Sequence, residues 1–230
     1  MILAITTIGL IFAAAWFGYK NFLVPFAASA LMLLLHTIGF GYITELGFTT
    51  NVGTYIYGGV IFALYLTYIM HGKRWAEAVK YKTAWMLIAY TMVSLALQHS
   101  NIDLDSIKIY NHLFIYDLQV VAASFATFYI SCSFLIMWMD KMMARGFCPS
   151  GWSAFLGMSL AQILDSFIFF PLAFAGTLDA TTLFIIAKGG LIIKIIMAAI
   201  SAPLICILLK YGKRDMFRED DPLLELSNKV

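Results

Sequence analysis

The sequence predicts an all-α integral membrane protein, a polytopic bundle of six or seven transmembrane helices. Three observations predict it. Of 230 residues, 62% are apolar and only 12% are charged, where soluble domains carry about 25% charged residues. Apolar stretches long enough to cross a bilayer core of ~30 Å, which takes about 20 helical residues, recur along nearly the whole chain. The cations gather in alternate connections. The length suits one membrane domain, 1–212, followed by a charged tail, 213–230, with no soluble catalytic domain beside it. A net charge of +2 is too small for a nucleic-acid footprint. Cys132, Cys148 and Cys206 are scattered and suit neither a disulfide framework nor a zinc site.

Seven stretches qualify as spans: 1–18, 22–43, 53–71, 83–99, 115–139, 152–176 and 182–209. Lipid cannot satisfy a free backbone N–H, so each must be a helix or part of a closed barrel. The barrel fails because these runs are continuously apolar rather than alternating. The first stretch has no positive n-region, and Lys20 follows it, so it reads as a retained span rather than a cleaved leader. The second is interrupted early by Pro25 and holds His36, a residue that more often satisfies a backbone carbonyl than binds anything. Between the third and fourth lie Lys73, Arg74, Lys80 and Lys82; between the fifth and sixth, Lys141 and Arg145. The tail adds Lys210, Lys213, Arg214 and Arg218, while residues 100–112 hold Lys108 beside Asp103 and Asp105. By the positive-inside rule the basic connections are cytoplasmic, the N-terminus outside and the C-terminus inside. The expected location is the plasma membrane, or the inner membrane of a Gram-negative cell. Trp75, Trp85, Trp138 and Trp152 fall near span ends, as an aromatic belt requires.

An ionisable side chain at mid-bilayer costs ~2.5–3.5 kcal/mol on insertion scales, so each marks a functional candidate. Asp165 lies midway along the sixth span and Lys194 midway along the seventh. Consecutive spans run antiparallel, so an Asp165–Lys194 ion pair is reasonable geometry. A purely structural pair is one reading; a polar patch lining a solute path is the other. The surroundings favour the path. Met158, Gln162, Asp165 and Phe169 follow at i, i+4, i+7 and i+11 on one helical stripe, with Ser159 and Ser166 flanking it. Amide, carboxylate and aromatic suit a small flat polar ligand. Lys188 and Gln119 are weaker signals, Asp117 and Glu45 sit at outer span ends, and Pro171 and Pro203 fall inside spans. There is no Gly-x-Ser-x-Gly elbow, His-Glu-x-x-His helix or Walker loop, and the histidines are dispersed. The chain is therefore expected to be no enzyme and to use no metal or cofactor.

The run SLAQILDSFIFFPLAFAG, Ser159 to Gly176, resembles the penultimate helix of the VUT family of queuosine-precursor transporters, with Gln162, Asp165, Ser166 and Phe169 matching its pattern. The last span, with Lys194, Pro203 and the basic end from Lys210 to Arg214, is similar to the family's final helix. AASFATF from Ala122 and HGKRWAEAV from His71 resemble its small-residue segment and its glycine-plus-basic turn. Gln119 stands where many relatives carry Arg, Tyr65 where they often carry an acid, and the first 50 residues lie outside the likeness.

The resemblance implies import of a 7-deazaguanine base (preQ0, preQ1 or queuine) for tRNA modification. A guanine-like edge offers adjacent N–H donors, which one carboxylate can accept side by side. Asp165 would take them, Gln162 would serve the carbonyl or ring nitrogen, and Phe169 would stack on the base. Lys194 would keep Asp165 ionised in the empty site; Ser166 and Gln119 complete the expected set. The partners are the lipid bilayer and this small molecule, with no nucleic acid. A homo-oligomer and an ATPase partner both stay open. So do transport of another vitamin-like heterocycle and a non-transporting role as assembly factor or enzyme subunit.

Overall fold

The computed structural model describes residues 2–18, 24, 27, 30, 42–45, 47–98, 118–145 and 151–211. Along them run helix α1 (Ile2–Gly18), strands β1 (Tyr42–Glu45) and β2 (Phe48–Asn51), and helices α2 (Val52–His71), α3 (Lys73–Gln98), α4 (Leu118–Ala144), α5 (Gly151–Phe174) and α6 (Ala180–Tyr211). Most of the expected second span, with Pro25 and His36, lies outside the described residues. So do Lys20, Asp117, Cys148, residues 100–112 and the tail from Gly212.

The architecture is that of an all-α membrane protein. Four helices among the described residues are long and apolar enough to cross a membrane: Val52–His71, Gln119–Ala144, Gly151–Phe174 and Ala180–Tyr211. The apolar part of α1, Ala4–Trp16, is shorter. Helix α2 is the axis of the bundle. Every residue from Gly53 to His71 is buried, because α2 contacts α1, α3, α4, α5 and α6 at once. The outer helices bury one face and expose large apolar side chains such as Trp85, Trp152, Phe167 and Phe184 on the other. That is the expected pattern where lipid rather than water is the solvent.

Two connections differ from the sequence reading. The basic segment after the third span is not a loop. Helix α2 ends at His71, Gly72 takes φ +80° and donates its N–H to Tyr68 O at 2.8 Å, and α3 starts at Lys73. Lys73, Arg74, Lys80 and Lys82 therefore stand on the first turns of a helix; a single residue makes the turn because glycine tolerates positive φ. The second difference is the hairpin. Tyr42 and Ile43, read as the end of a span, belong to β1, which pairs antiparallel with β2 in the register Tyr42↔Asn51 and Glu45↔Phe48. Gly47 supplies the turn at φ +78°. The hairpin's last residue, Asn51, caps α2 by accepting from Thr54 N at 3.0 Å. The sheet is docked on α6: a Cβ on Gly189 would collide with the carbonyl oxygen of Thr49, and one on Gly190 would lie 3.2 Å from Thr50 Oγ1.

Candidate functional site

Helices α5 and α6 follow one another across a short turn that ends at Asp179, whose Oδ1 accepts from Thr181 N at 3.1 Å and Thr182 N at 2.9 Å to start α6. The antiparallel pairing sets Asp165 opposite Lys194. The Lys194 Nζ donates to Asp165 Oδ2 at 2.5 Å and to Ser166 Oγ at 3.0 Å. Their side chains are 3% and 5% exposed. A charge so placed costs several kcal/mol of desolvation, offset only by a close partner and further hydrogen bonds. Both are present. The ammonium also lies 5.2 Å from the centroid of the Tyr57 ring and 5.9 Å from that of Phe170.

Tyr57 is the contribution of α2. Its hydroxyl meets Ser131 of α4, whose own hydroxyl donates to Thr127 O at 2.6 Å, which makes Tyr57 the donor to Ser131. The α2–α6 approach is close here because Gly58 leaves room for Met197. Gly190 does the same for the ring of Phe170, whose Cζ would lie 3.0 Å from an added Cβ.

Gln162 stands one turn before Asp165 on the same face. It is wholly buried, and among the described residues neither its Oε1 nor its Nε2 has a hydrogen-bond partner; the Ser159 hydroxyl is in the same state. Ser159, Gln162 and Asp165/Ser166 follow at helical spacing, a polar ladder of ~10 Å at ~1.5 Å rise per residue. Leaving a buried amide unpartnered costs ~1–3 kcal/mol. A ladder that ends in a satisfied ion pair at one end and orphaned donors and acceptors at the other can accept a polar solute's hydrogen bonds without first breaking its own.

The structure brings Asp165, Ser166 and Lys194 into contact and sets Gln162 beside them. Phe169 is not the ring at the pair. It is half-buried and packs with Val120 and Ala173, its centroid 5.4 Å from that of Phe170 and 5.9 Å from that of Phe174. Lys194 approaches on the Ser166 side of Asp165, so the column one residue round, Ser166 and Phe170, faces it. Gln119 is engaged elsewhere: its amide donates to Leu172 O at 2.8 Å and Ala175 O at 3.1 Å. Those carbonyls lie in the last turn of α5 and just past its end, where helical partners run out. Lys188 is exposed.

Sequence reasoning missed Tyr57 and Lys80. Nothing distinguishes Tyr57 from the other tyrosines of an apolar span. Lys80 was read as a cation of a cytoplasmic connection, yet its side chain is 4% exposed. It meets Glu77 Oε2 at 2.6 Å and Ser133 Oγ at 3.1 Å and lies 4.8 Å from both the Tyr81 and Tyr129 rings. The i, i+3 spacing of Glu77 and Lys80 was the available signal. Nearer the α2–α3 turn, Asp140 accepts from Tyr68 Oη at 2.5 Å and pairs with Lys73, whose ammonium it holds above its ordinary pKa by hydrogen bond and charge.

Helices long enough to cross a bilayer, with a buried polar cluster shared by three of them, define an all-α integral membrane protein. The family described as "Putative vitamin uptake transporter" matches residues 51–208. The chain belongs to that family of transporters. The match starts at the residue that caps α2 and includes every residue of the site. No curated protein and no solved structure shows a significant match to this chain.

Proposed function

We propose that the protein imports a queuosine precursor, a 7-deazaguanine base such as preQ0, preQ1 or queuine, across the plasma membrane for tRNA modification. The carrying observation is the buried Gln162 amide, both of whose polar atoms lack a partner among the described residues, one turn from the Asp165 carboxylate. An amide offers one acceptor and two donors, and a carboxylate accepts twice. Together they complement a flat heterocycle that presents adjacent N–H groups, a carbonyl and a ring nitrogen. Phe170 supplies an apolar wall beside them. The basic residues from Lys73 to Lys82 and at Lys141 and Arg145 support a cytoplasmic position for those ends of the bundle. The test is uptake: cells unable to make the precursor should regain queuosine in tRNA when they express this chain and are fed preQ0 or queuine. Absence of rescue by a correctly inserted protein, with no saturable uptake in liposomes, overturns the reading.

The family's description as a vitamin uptake transporter favours a second reading, a vitamin-like heterocycle of another class entering the same site. Competition separates the two. Under the first reading 7-deazaguanines displace labelled preQ0 and pteridines do not; under the second the order reverses.

A further inference from the structure

An ammonium carries three N–H donors. Two of those on Lys194 point to oxygen, in Asp165 and Ser166. The rest of its surface looks onto the rings of Tyr57, at 5.2 Å, and Phe170, at 5.9 Å, both within the ~6 Å over which an aromatic face attracts a cation. Any solute that takes N–H contacts to Asp165 competes with Lys194 for the same carboxylate. A displaced ammonium with nowhere to go in a dry interior sheds its proton, because burial disfavours the charged form. This one has a second place already built.

We propose that Tyr57 is a positioning residue of the binding site, seating the Lys194 ammonium in its charged form while solute occupies Asp165, so that binding exchanges no proton. The inference rests on the reading of Asp165 as the solute's acceptor. Tyr57 is rigidly held for the task. Its hydroxyl meets Ser131, which donates to Thr127 O, and also stands beside the Asp165 carboxylate, and its backbone is drawn to α6 at Gly58. The titratable groups around Lys194 are few. Helix α5 supplies Asp165 and α2 supplies Tyr57. Cys132 of α4 stands near both Tyr57 and Asp165, and Lys80 of α3 is held by Glu77. Helix α1 and strand β2, the other elements packed on α6, carry no ionisable side chain. Asp165 is the sole carboxylate paired with Lys194 among the described residues, so a proton lost from Lys194 on binding would have to leave the protein or pass to Asp165 itself.

The experiment is calorimetric titration of the purified protein with preQ0 at pH 7 in two buffers of very different ionisation enthalpy, which counts protons exchanged on binding. Wild type is expected to bind with the same apparent enthalpy in both buffers, and Tyr57→Phe, which keeps the ring, to show the same absence of proton exchange whatever its affinity. Tyr57→Leu removes the ring, and its binding is expected to release a proton and to weaken about tenfold at pH 7, recovering as pH rises. A proton released by wild type overturns the proposal, as does a Tyr57→Leu protein that binds as wild type does. Should Tyr57→Leu fail to fold, the wild-type proton count still decides. No binding of preQ0 by wild type removes the functional reading and this inference with it, whereas binding with proton release removes the inference alone.

Discussion

Asp165 and Gln162 stand one turn apart on α5 in opposite states: the carboxylate is paired with Lys194, and the amide has no partner among the described residues. The two residues therefore answer differently to mutation. Gln162→Leu removes an unsatisfied buried amide, so the variant should match or exceed wild type in thermal stability. Its preQ0 affinity should fall by one to two powers of ten, since two hydrogen bonds at ~0.5–1.5 kcal/mol each are lost. A variant that loses stability instead shows that the amide is bonded in the empty protein. Asp165→Asn replaces two acceptor oxygens with one acceptor and a donor. A charge-assisted bond is worth ~1.5–3 kcal/mol, and an orphaned partner costs a further ~1–3. Affinity measured per folded molecule should drop by one to several powers of ten; unchanged affinity would make Asp165 a purely structural residue. Lys194→Met strands a buried carboxylate, a loss on the order of 3–5 kcal/mol, and adding Asp165→Asn should restore part of it. A double variant no better than the sum of the singles would speak against direct coupling. The pair was legible in the sequence because charges at mid-span are conspicuous and consecutive spans must be antiparallel. Phe170 was not, because two adjacent phenylalanines are separated only by which side Lys194 approaches, and that is a tertiary fact.

Helices and their joints carry a second set of expectations. Gly189 and Gly9 are both helical glycines, but an added methyl group meets the carbonyl oxygen of Thr49 at the first and nothing within 4 Å at the second. Gly9→Ala should raise stability by ~0.5–1 kcal/mol through helix propensity, and Gly189→Ala should lower it by ~1–3 kcal/mol through overpacking, both read as shifts in thermal midpoint. Asp179 starts α6, and its hydrogen bonds from Thr182 and Thr181 hold its carboxyl below the ordinary 3.8. A depressed folded pKa means that the contribution is complete above pH 3.8 and is lost as pH falls through the folded value. Asp179→Ala should therefore melt lower than wild type near neutral pH, with the gap closing in acid. Four helices, α2, α4, α5 and α6, were readable from apolar length alone. The hairpin was not, because its β-branched and aromatic residues on both sides of Gly47 continue an apolar run, and a four-residue strand has no signal that survives beside a span. The helical start of α3 was hidden in the same way by cations that look like a loop.

At the scale of the molecule, the charge pattern predicts an orientation that can be tested. A cysteine placed within residues 100–112 of a variant lacking native cysteines should react with an impermeant thiol reagent on intact cells, and one placed among 73–82 should not. The reverse labelling would invert the bundle. The order of the chain has its own consequence. Tyr57 and Lys194 touch in the finished protein, yet roughly 140 residues separate them, which at about 5–20 residues per second is on the order of ten seconds of synthesis. During that interval α1 and α2 have already left the ribosome, while α5 and α6, two of the helices that will surround α2, are still being made. The helix destined to be the most enclosed thus spends those seconds without the partners that close its site. A membrane insertase that shelters it through those seconds should raise the yield of active protein more than it raises the yield of inserted protein.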